Sequence, residues 1–497
     1  MLKGVIPADA GIQKYATWIP AFAGMTKYVS LFPVRHSIFD IHESVCTSMM
    51  ATQMAIQSQL GTTFACPKCS RQHTITTRDI VYSVDALDRF IHIVSEKPKC
   101  NMTVMFDVRT KAVLGDEVCR AIKQGTHHHL QKYLVSDRQC HRNDSLSPVC
   151  DDVTKEQIMR TLPESDLIIA VGSGVINDLA KWVAFEKKIP YLVFATAASM
   201  NGYASANVAA QVNGLKVLFK ARAPEYVFAL PSVLESAPAE LTTAGLGDAL
   251  AKPVSSADWK LNELLFGEYF CQYAVDIVAE QEKIYVNNPQ GIRDRDPQAI
   301  RALFFALCYS GVSMSIAGSS SPASGGEHLL SHTLDMLAHR DGGKHDLHGR
   351  QVGVGTILSA TLYEKVLSLD VVDWRPLEEF HNEVFWTSLS DEVRGQYATK
   401  LLKAKEALVQ LQSPQRWAQI KQELKKYVRA PHVIKECLRQ AGAAHKSEHI
   451  GVRDIDEFVR IWSVSHEMRS RFTILDLARL AGVMPELARE LVHQWVL

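Results

Sequence analysis

The stretch DLIIAVGSGVINDLAKWVAF, Asp166 to Phe185, constrains the fold more than any other part of the chain. Leu167 to Val171 is an unbroken apolar run, which a strand carries when both of its faces are buried. After Gly172, Ser173 and Gly174, apolar residues return at Ile176, Leu179, Ala180 and Val183, the spacing of one helix face. A doubly buried strand that feeds a helix through glycines belongs to a parallel sheet covered by helices on both sides. The texture recurs from about residue 100 to 235. Thr103–Phe106, Lys132–Ser136, Tyr191–Ala195 and Tyr226–Leu230 read as further strands, and AVLGDEVCRAI as a helix after the first of them. Beyond about residue 236, helical periodicity takes over in RALFFALCYSGVSMSIAG, VGVGTILSATLYEKVLSL and FTILDLARLAGV. The expectation is an α/β domain over residues 49–235 followed by an all-helical domain over residues 236–497. Residues 375–470 are polar and charge-mixed and read as solvated helices and loops.

Composition narrows the class. Lys+Arg and Asp+Glu both number 54, so the net charge is zero. No nucleic-acid or acidic-lipid partner is expected from that balance. No unbroken run of eighteen apolar residues occurs, so no membrane span is expected. The ten cysteines are scattered rather than clustered as a disulfide framework, which suits a reducing, cytoplasmic setting. The N-terminal VIPADAGIQKYATWIPAFAGMT has neither a helix nor a strand period, and it resembles translated bacterial intergenic repeats. Residues 1–48 are expected to be a non-native or disordered extension, with Met49, Met50 or Met54 as the true start.

Two motifs carry chemistry. In AVGSGVIND the glycines let the backbone approach a pyrophosphate, which the free amides of a helix N-terminus then hold. The full G-x-G-x-x-G fingerprint is not met, because Asn177 stands at its third glycine, and no acidic strand end follows at the usual distance. An ordinary strand-to-helix turn is the alternative. In GGEHLLSH, His328 and His332 share one helix face. The glutamate precedes the first histidine, so this is not H-E-x-x-H, and two ordinary helix histidines remain the rival. KHDLHGRQVGVGT adds His345 and His348, the latter at a helix start. In AGLGDALAK, Asp248 reads as opening a helix after Gly247, where aspartate commonly caps. One carboxylate and two imidazoles from different helices nevertheless suit a catalytic divalent metal with open positions.

The ordered set GSGVIND, TAAS, GLGDALAK, PASGGEHLLSH and LHGRQVGVGT resembles the glycerol-1-phosphate dehydrogenases, bacterial branch, within the iron-containing alcohol dehydrogenase, glycerol dehydrogenase and dehydroquinate synthase group. The resemblance covers about residues 100–365 and continues more weakly at RSRFTILDLARLAGV. It implies a Rossmann-like parallel-sheet domain followed by a helical domain, dehydroquinate synthase-like, with the active site in the cleft between them. By position, Asp248, His328 and His348 match the metal ligands, and His332 a residue beside the substrate. Gly172, Ser173, Gly174, Asn177 and Asp178 match the pyrophosphate turn, and Thr196, Ser199 and Ser205 further cofactor contacts. Asp107 matches a position near the adenine ribose, where a carboxylate favours NAD over NADP. The implied cofactors are NAD or NADP and one divalent metal, zinc, nickel or iron. The implied partner is a small phosphorylated triose or glycerol, and a homodimer is the default assembly.

The implied reaction interconverts dihydroxyacetone phosphate and sn-glycerol 1-phosphate. His332 is expected to pass the proton, because imidazole titrates near neutral pH, and Lys252 to meet the substrate phosphate or else to be a surface lysine. Asn201 departs from the family, which carries aspartate there; the amide keeps an acceptor, gains a donor and loses the charge. The alternatives are a polyol dehydrogenase with no phosphate requirement and a dehydroquinate synthase-like lyase. The lyase reading lacks a Lys/Arg cluster between Asp248 and His348. In CPKCSRQH, Cys66, Cys69 and His73 have the spacing of a zinc knuckle. Only the distant Cys100 offers itself as a fourth ligand, so free thiols are expected.

Overall fold

In the computed structural model, residues 56–213 and 215–497 are described. The expected extension over residues 1–48, with its three candidate start methionines, lies outside them. An antiparallel ribbon, β1 (Thr63–Ala65) and β2 (Gln72–Thr74), comes first. Then follow β3 (Asp79–Tyr82), β4 (Asn101–Phe106), β5 (His129–Leu134), a short antiparallel pair β6 (Gln139–Cys140) and β7 (Leu146–Ser147), β8 (Leu167–Gly172) and β9 (Tyr191–Ala195). A hairpin of β10 (Asn207–Val212) and β11 (Leu215–Lys220) precedes β12 (Tyr226–Ala229). The main sheet has six strands in the order β3-β12-β9-β8-β4-β5, all parallel.

The unbroken apolar runs have the expected cause. Met102, Val104 and Phe106 of β4 enter one core with Ile169, Val171, Phe194 and Phe228. Met105, Ile168, Ala170 and Val193 enter the opposite one. Helices α1 (Ala86–Ser95) and α2 (Asp116–Gly125) cover the first face through Phe90, Val94, Val118 and Ile122. Helices α3 (Asp152–Thr161) and α4 (Gly174–Lys187) contribute Ile158, Ile176, Leu179 and Val183 to the second. Strand side chains alternate between faces, and both faces are dry, so no polar alternation survives in the sequence.

One strand expectation needs correction, and other strands escaped the sequence reading. The strand expected at Lys132–Ser136 runs from His129 to Leu134, where pairing with β4 fixes its register. It is an edge strand and half exposed, so its apolar pattern is broken. The four-residue β3 was missed because it is so short. The β10–β11 hairpin was missed because it stands off the main sheet and alternates partly exposed residues; Asn213 at its turn has a φ of +50°.

Every described element after β12 is helical. The elements that form the site are α5 (Ala239–Leu250), α6 (Lys252–Phe266), α7 (Gln272–Asn287), α8 (Pro297–Ala317), α9 (Gly326–Arg340) and α10 (His348–Ser368). Helix α8 is long and apolar enough to cross a membrane, but 89% of that window is buried inside the protein, so it is a core helix. Residues 375–470 include buried Trp386, Trp417 and Trp462, and are better packed than their composition suggests.

Candidate active site

Asp248 does not open a helix. It lies in the last turn of α5, where Gly245 and Gly247 are interior residues. These glycines serve contact between elements rather than a turn. A Cβ on Gly245 would meet the Ala198 carbonyl oxygen at 1.9 Å, and one on Gly247 would meet that of Gly349 at 2.1 Å. Gly349 is equally tight against the Ala244 carbonyl at 1.9 Å. Close approach of α5 and α10 therefore needs glycine on both sides, and it carries Asp248 to the start of α10. There His348 is the first helical residue, as expected.

Asp248, His328 and His348 converge, with one ligand atom of each within 4.8 Å of the others. The hydrogen bonds behind them choose the tautomers. His328 Nδ1 is 2.7 Å from Glu327 Oε1, which leaves Nε2 facing Asp248 Oδ1 at 3.6 Å. His348 Nδ1 is 2.8 Å from Ser331 Oγ. That hydroxyl donates to Gln351 Oε1, so it accepts from His348 and frees the lone pair on Nε2. Two imidazoles held this way beside a carboxylate fit a divalent ion. Burial would raise the Asp248 carboxyl, but Lys252 and His328 outweigh it and hold it well below the usual range. Burial alone would lower His328, yet Asp248 and Glu327 raise it. His348 is depressed to about 4 by burial and by His328.

The Gly-Gly turn before α9 is built on a carboxylate. Asp258 Oδ2 accepts from the Gly326 amide at 2.7 Å, and Oδ1 accepts from the Tyr363 hydroxyl and the Ile474 amide. A Cβ on Gly325 would lie 2.4 Å from Asp258 Oδ2. Burial and the neighbouring Glu327 push Asp258 up to about 8.

His328, His332, His348, Asn201, Asp178 and Ser205 all line one cleft. His332 is buried and its Nδ1 has no partner. Burial, then Arg469, His348 and His328, lower its pKa well below the ordinary value. These surroundings favour the neutral ring, against the expectation of an imidazole balanced near neutral pH. Asn201 donates its backbone amide to Asp248 Oδ2 and its side-chain amide to Oδ1, both at 2.9 Å. An aspartate there would set two carboxylates against each other. Lys252 is neither on the surface nor in the cleft lining. Its ammonium turns back to Asp248 Oδ1 at 3.4 Å and to the Ala323 carbonyl at 3.3 Å.

The residues that the resemblance assigns to the cofactor fall around the ends of β8, β9 and β4. Gly172 closes β8, Ser173 is the N-cap of α4 and Gly174 is its first residue. Thr196 follows β9 and donates its amide to the Gly172 carbonyl, and Ser199 lies buried just beyond. Asn177 donates to Asp178, which accepts the Ala209 amide and so ties α4 to the β10–β11 hairpin. Ser205 spends its hydroxyl on the carbonyls of Gly202 and Asn207. Asp107 ends β4, the strand next to β8. It caps the following turn through the amides of Arg109 and Thr110, and Arg109 lies 3.3 Å from its other oxygen.

Three cations escaped the sequence reading. Lys181 is fully buried and binds the carbonyls of Gly202 and Asn207 at 2.8 and 2.9 Å, fixing the loop that carries Asn201. Its only sequence signal is its place one turn after Asp178. Lys216, from the missed hairpin, and Arg469, in the segment RSRF, enter the cleft beside Ser320 and Ser324. Burial, with Arg471 nearby, lowers Arg469 to about 9.

Comparison with known proteins places this geometry. The family model described as iron-containing alcohol dehydrogenase matches residues 81–238. A Thermococcus sibiricus protein named glycerol-1-phosphate dehydrogenase (NAD(P)+) is 32% identical, over 61% of this chain and 80% of its own length. One of the same name from Geobacillus stearothermophilus is 28% identical, over 82% of this chain and 93% of its own. The glycerol dehydrogenase of Schizosaccharomyces pombe shares the fold, with a TM-score of 0.55 at 15% identity over 86% of this chain and 94% of that one. The chain belongs to the glycerol-1-phosphate dehydrogenase family.

Proposed function

We propose that the protein is an NAD(P)-dependent, metal-dependent dehydrogenase that interconverts dihydroxyacetone phosphate and sn-glycerol 1-phosphate. One observation carries the reading: a single cleft is lined by the imidazoles of the ion-binding cluster, by Asp178 of the cofactor turn and by the cations Lys216 and Arg469. When bound, the ion supplies Lewis acidity at a C2 oxygen and the nicotinamide supplies or accepts the hydride. Asp248, His328 and His348 hold the ion, and Glu327, Ser331 and Asn201 orient them. His332 presents a neutral ring whose unpartnered Nδ1 takes or returns the C2 hydroxyl proton. Arg469 and Lys216 hold the phosphate, the role first assigned to Lys252. Lys252 instead secures Asp248. At the end of β4, Asp107 can accept a ribose 2′-hydroxyl while Arg109 beside it can meet a 2′-phosphate, so both dinucleotides are accepted.

The test is reduction of dihydroxyacetone phosphate by protein stripped of metal and reloaded with zinc, nickel or iron, with NADH and NADPH compared. Metal-dependent turnover that requires the phosphate is the expected result, and the most active ion identifies the natural one. Turnover of dihydroxyacetone or glycerol alone, with no gain from the phosphate, would overturn the substrate assignment in favour of a polyol dehydrogenase.

A further inference from the structure

Outside the lining of the cleft, the fold assembles a second cluster of a different chemical kind. The ribbon β1–β2 turns through CPKCSRQH, and the turn is tight. The Cys66 amide donates to the Arg71 carbonyl at 2.8 Å and the Ser70 amide to the Cys66 carbonyl at 3.1 Å. Ser70 takes the left-handed conformation at φ +57°, unfavourable for a residue with a Cβ. The turn points Cys66, Cys69 and His73 at one spot. Cys100, the expected fourth candidate, is elsewhere and contacts His128. The fourth group comes from about two hundred residues further along: Cys271, the N-cap of α7.

Ligand atoms of these four residues all lie within 4.8 Å of one another. Cys66 Sγ and Cys271 Sγ are 3.7 Å apart, His73 Nε2 is 3.3 Å from Cys69 Sγ, and it is 3.8 Å from Cys271 Sγ. A tetrahedral zinc ion with ordinary bond lengths spaces two sulfurs by about 3.8 Å, and sulfur and nitrogen by about 3.6 Å. The edges of the cluster therefore have zinc-site dimensions. A disulfide would need its sulfurs at about 2.05 Å. Cys66, His73 and Cys271 are buried while Cys69 is partly exposed, so the spot is enclosed with one side near solvent.

The surroundings suit the charge. Three thiolates and a dication leave one net negative charge. The N-terminus of α7 favours an anionic Cys271. The Tyr269 hydroxyl sits 3.3 Å from Cys69 Sγ, and the Arg71 guanidinium stacks on the Tyr269 ring at 3.9 Å. No carboxylate belongs to the cluster, which separates it in ligand softness from the cleft site.

We propose that Cys66, Cys69, His73 and Cys271 bind a structural zinc ion that fastens the β1–β2 ribbon to the start of α7. With four protein ligands it has no open position for substrate. Beside the cluster, Phe64 packs against Tyr273 of α7 with ring centres 5.7 Å apart.

The experiment uses the full chain carrying His328→Ala and His348→Ala, which removes the cleft ligands. Zinc is measured by mass spectrometry after EDTA dialysis, then released with an organomercurial thiol reagent and read with a chromogenic chelator. About one zinc per chain, resistant to EDTA and freed as the mercurial is added, is expected. Adding Cys69→Ser should abolish it, and cobalt in its place should show a thiolate-to-cobalt charge-transfer band. If Cys69→Ser does not fold, mercurial release from the parent and the cobalt spectrum still decide. A metal-free protein that refuses added zinc, or a Cys66–Cys271 disulfide found by mass, would overturn the proposal. Both readouts are independent of the substrate and of turnover.

Discussion

The two clusters of metal-ligand side chains in this chain are built for opposite tasks. In the cleft, a carboxylate and two imidazoles come from three helices and leave a side open to His332 and the cations beyond. At the ribbon, three sulfurs and one imidazole converge on a point and supply all four ligands of a tetrahedral ion. The first places an ion where something else must bind; the second places one where only the chain is to be held. The difference is written in donor type and number before any distance is considered. It also appears in the support. His328 and His348 are each held at Nδ1 by a hydrogen bond, whereas the cysteines are placed by a backbone turn and a helix cap.

The strongest way to break this contrast is to remove one ligand from each. His328→Ala should abolish ion binding in the cleft and cost about a thousandfold or more in kcat, the several kcal/mol a Lewis acid supplies, while the ribbon zinc stays. Cys69→Ser should do the reverse, keeping most of the rate at low temperature and lowering the melting temperature. Metal analysis and kinetics on both variants check the pair, and equal rate losses would show that the clusters do not divide the work this way.

Next in size is the cation pair beyond the ion. Arg469→Gln should raise KM for the phosphorylated substrate about 10- to 100-fold, the worth of a charged hydrogen bond or two, with little change for unphosphorylated dihydroxyacetone. Lys252→Gln should instead weaken ion binding, because Lys252 faces Asp248 rather than substrate. If Lys252→Gln alone raised KM for the phosphate, the original assignment would stand.

These residues also mark what the sequence could and could not reveal. The parallel sheet was legible because β8 and β9 are buried on both faces and carry no polar alternation. That His328 and His348 would meet Asp248 was legible through motif order. Arg469 and Lys216 were not, since one follows a long charge-mixed segment and the other rides on a hairpin whose pattern is weak. Gly247 misled in an instructive way. A glycine before an aspartate reads as a helix boundary, yet here it is the residue that lets two helices touch. Cys271 is the clearest case. Nothing local distinguishes it, and only the packing of α7 against the ribbon makes it the fourth partner of a knuckle two hundred residues away.

A smaller effect concerns the hydrogen bond behind His348. Ser331→Ala removes the acceptor that fixes its tautomer, and such supporting partners are worth about 10- to 100-fold in ion affinity. Isothermal titration of the metal-free variant measures it. The ribbon zinc should be untouched, which again separates the two sites.

The smallest expected effect is in proton counting. In the ion-free cleft, His328 is raised above its ordinary value by Asp248 and Glu327 against the effect of burial, so at pH 6.5 and below it is largely an imidazolium. His348, depressed to about 4, is already neutral there. An ion entering the cleft must therefore expel one proton, from His328, and not two. Its affinity should rise about tenfold per pH unit between pH 5 and 6.5, steepening to a two-proton dependence below about 4 and flattening once His328 has lost its proton. At the ribbon the count runs the other way. Burial lowers His73, so it has no proton to lose at neutral pH, while burial pushes the Cys271 thiol up to about 11. With three thiols to ionise, zinc should release two to three protons there. Calorimetry at pH 6.5 in buffers of different ionisation enthalpy, on variants that keep one site each, reads both numbers. A two-proton slope in the cleft would mean that His348 is not held neutral by its surroundings.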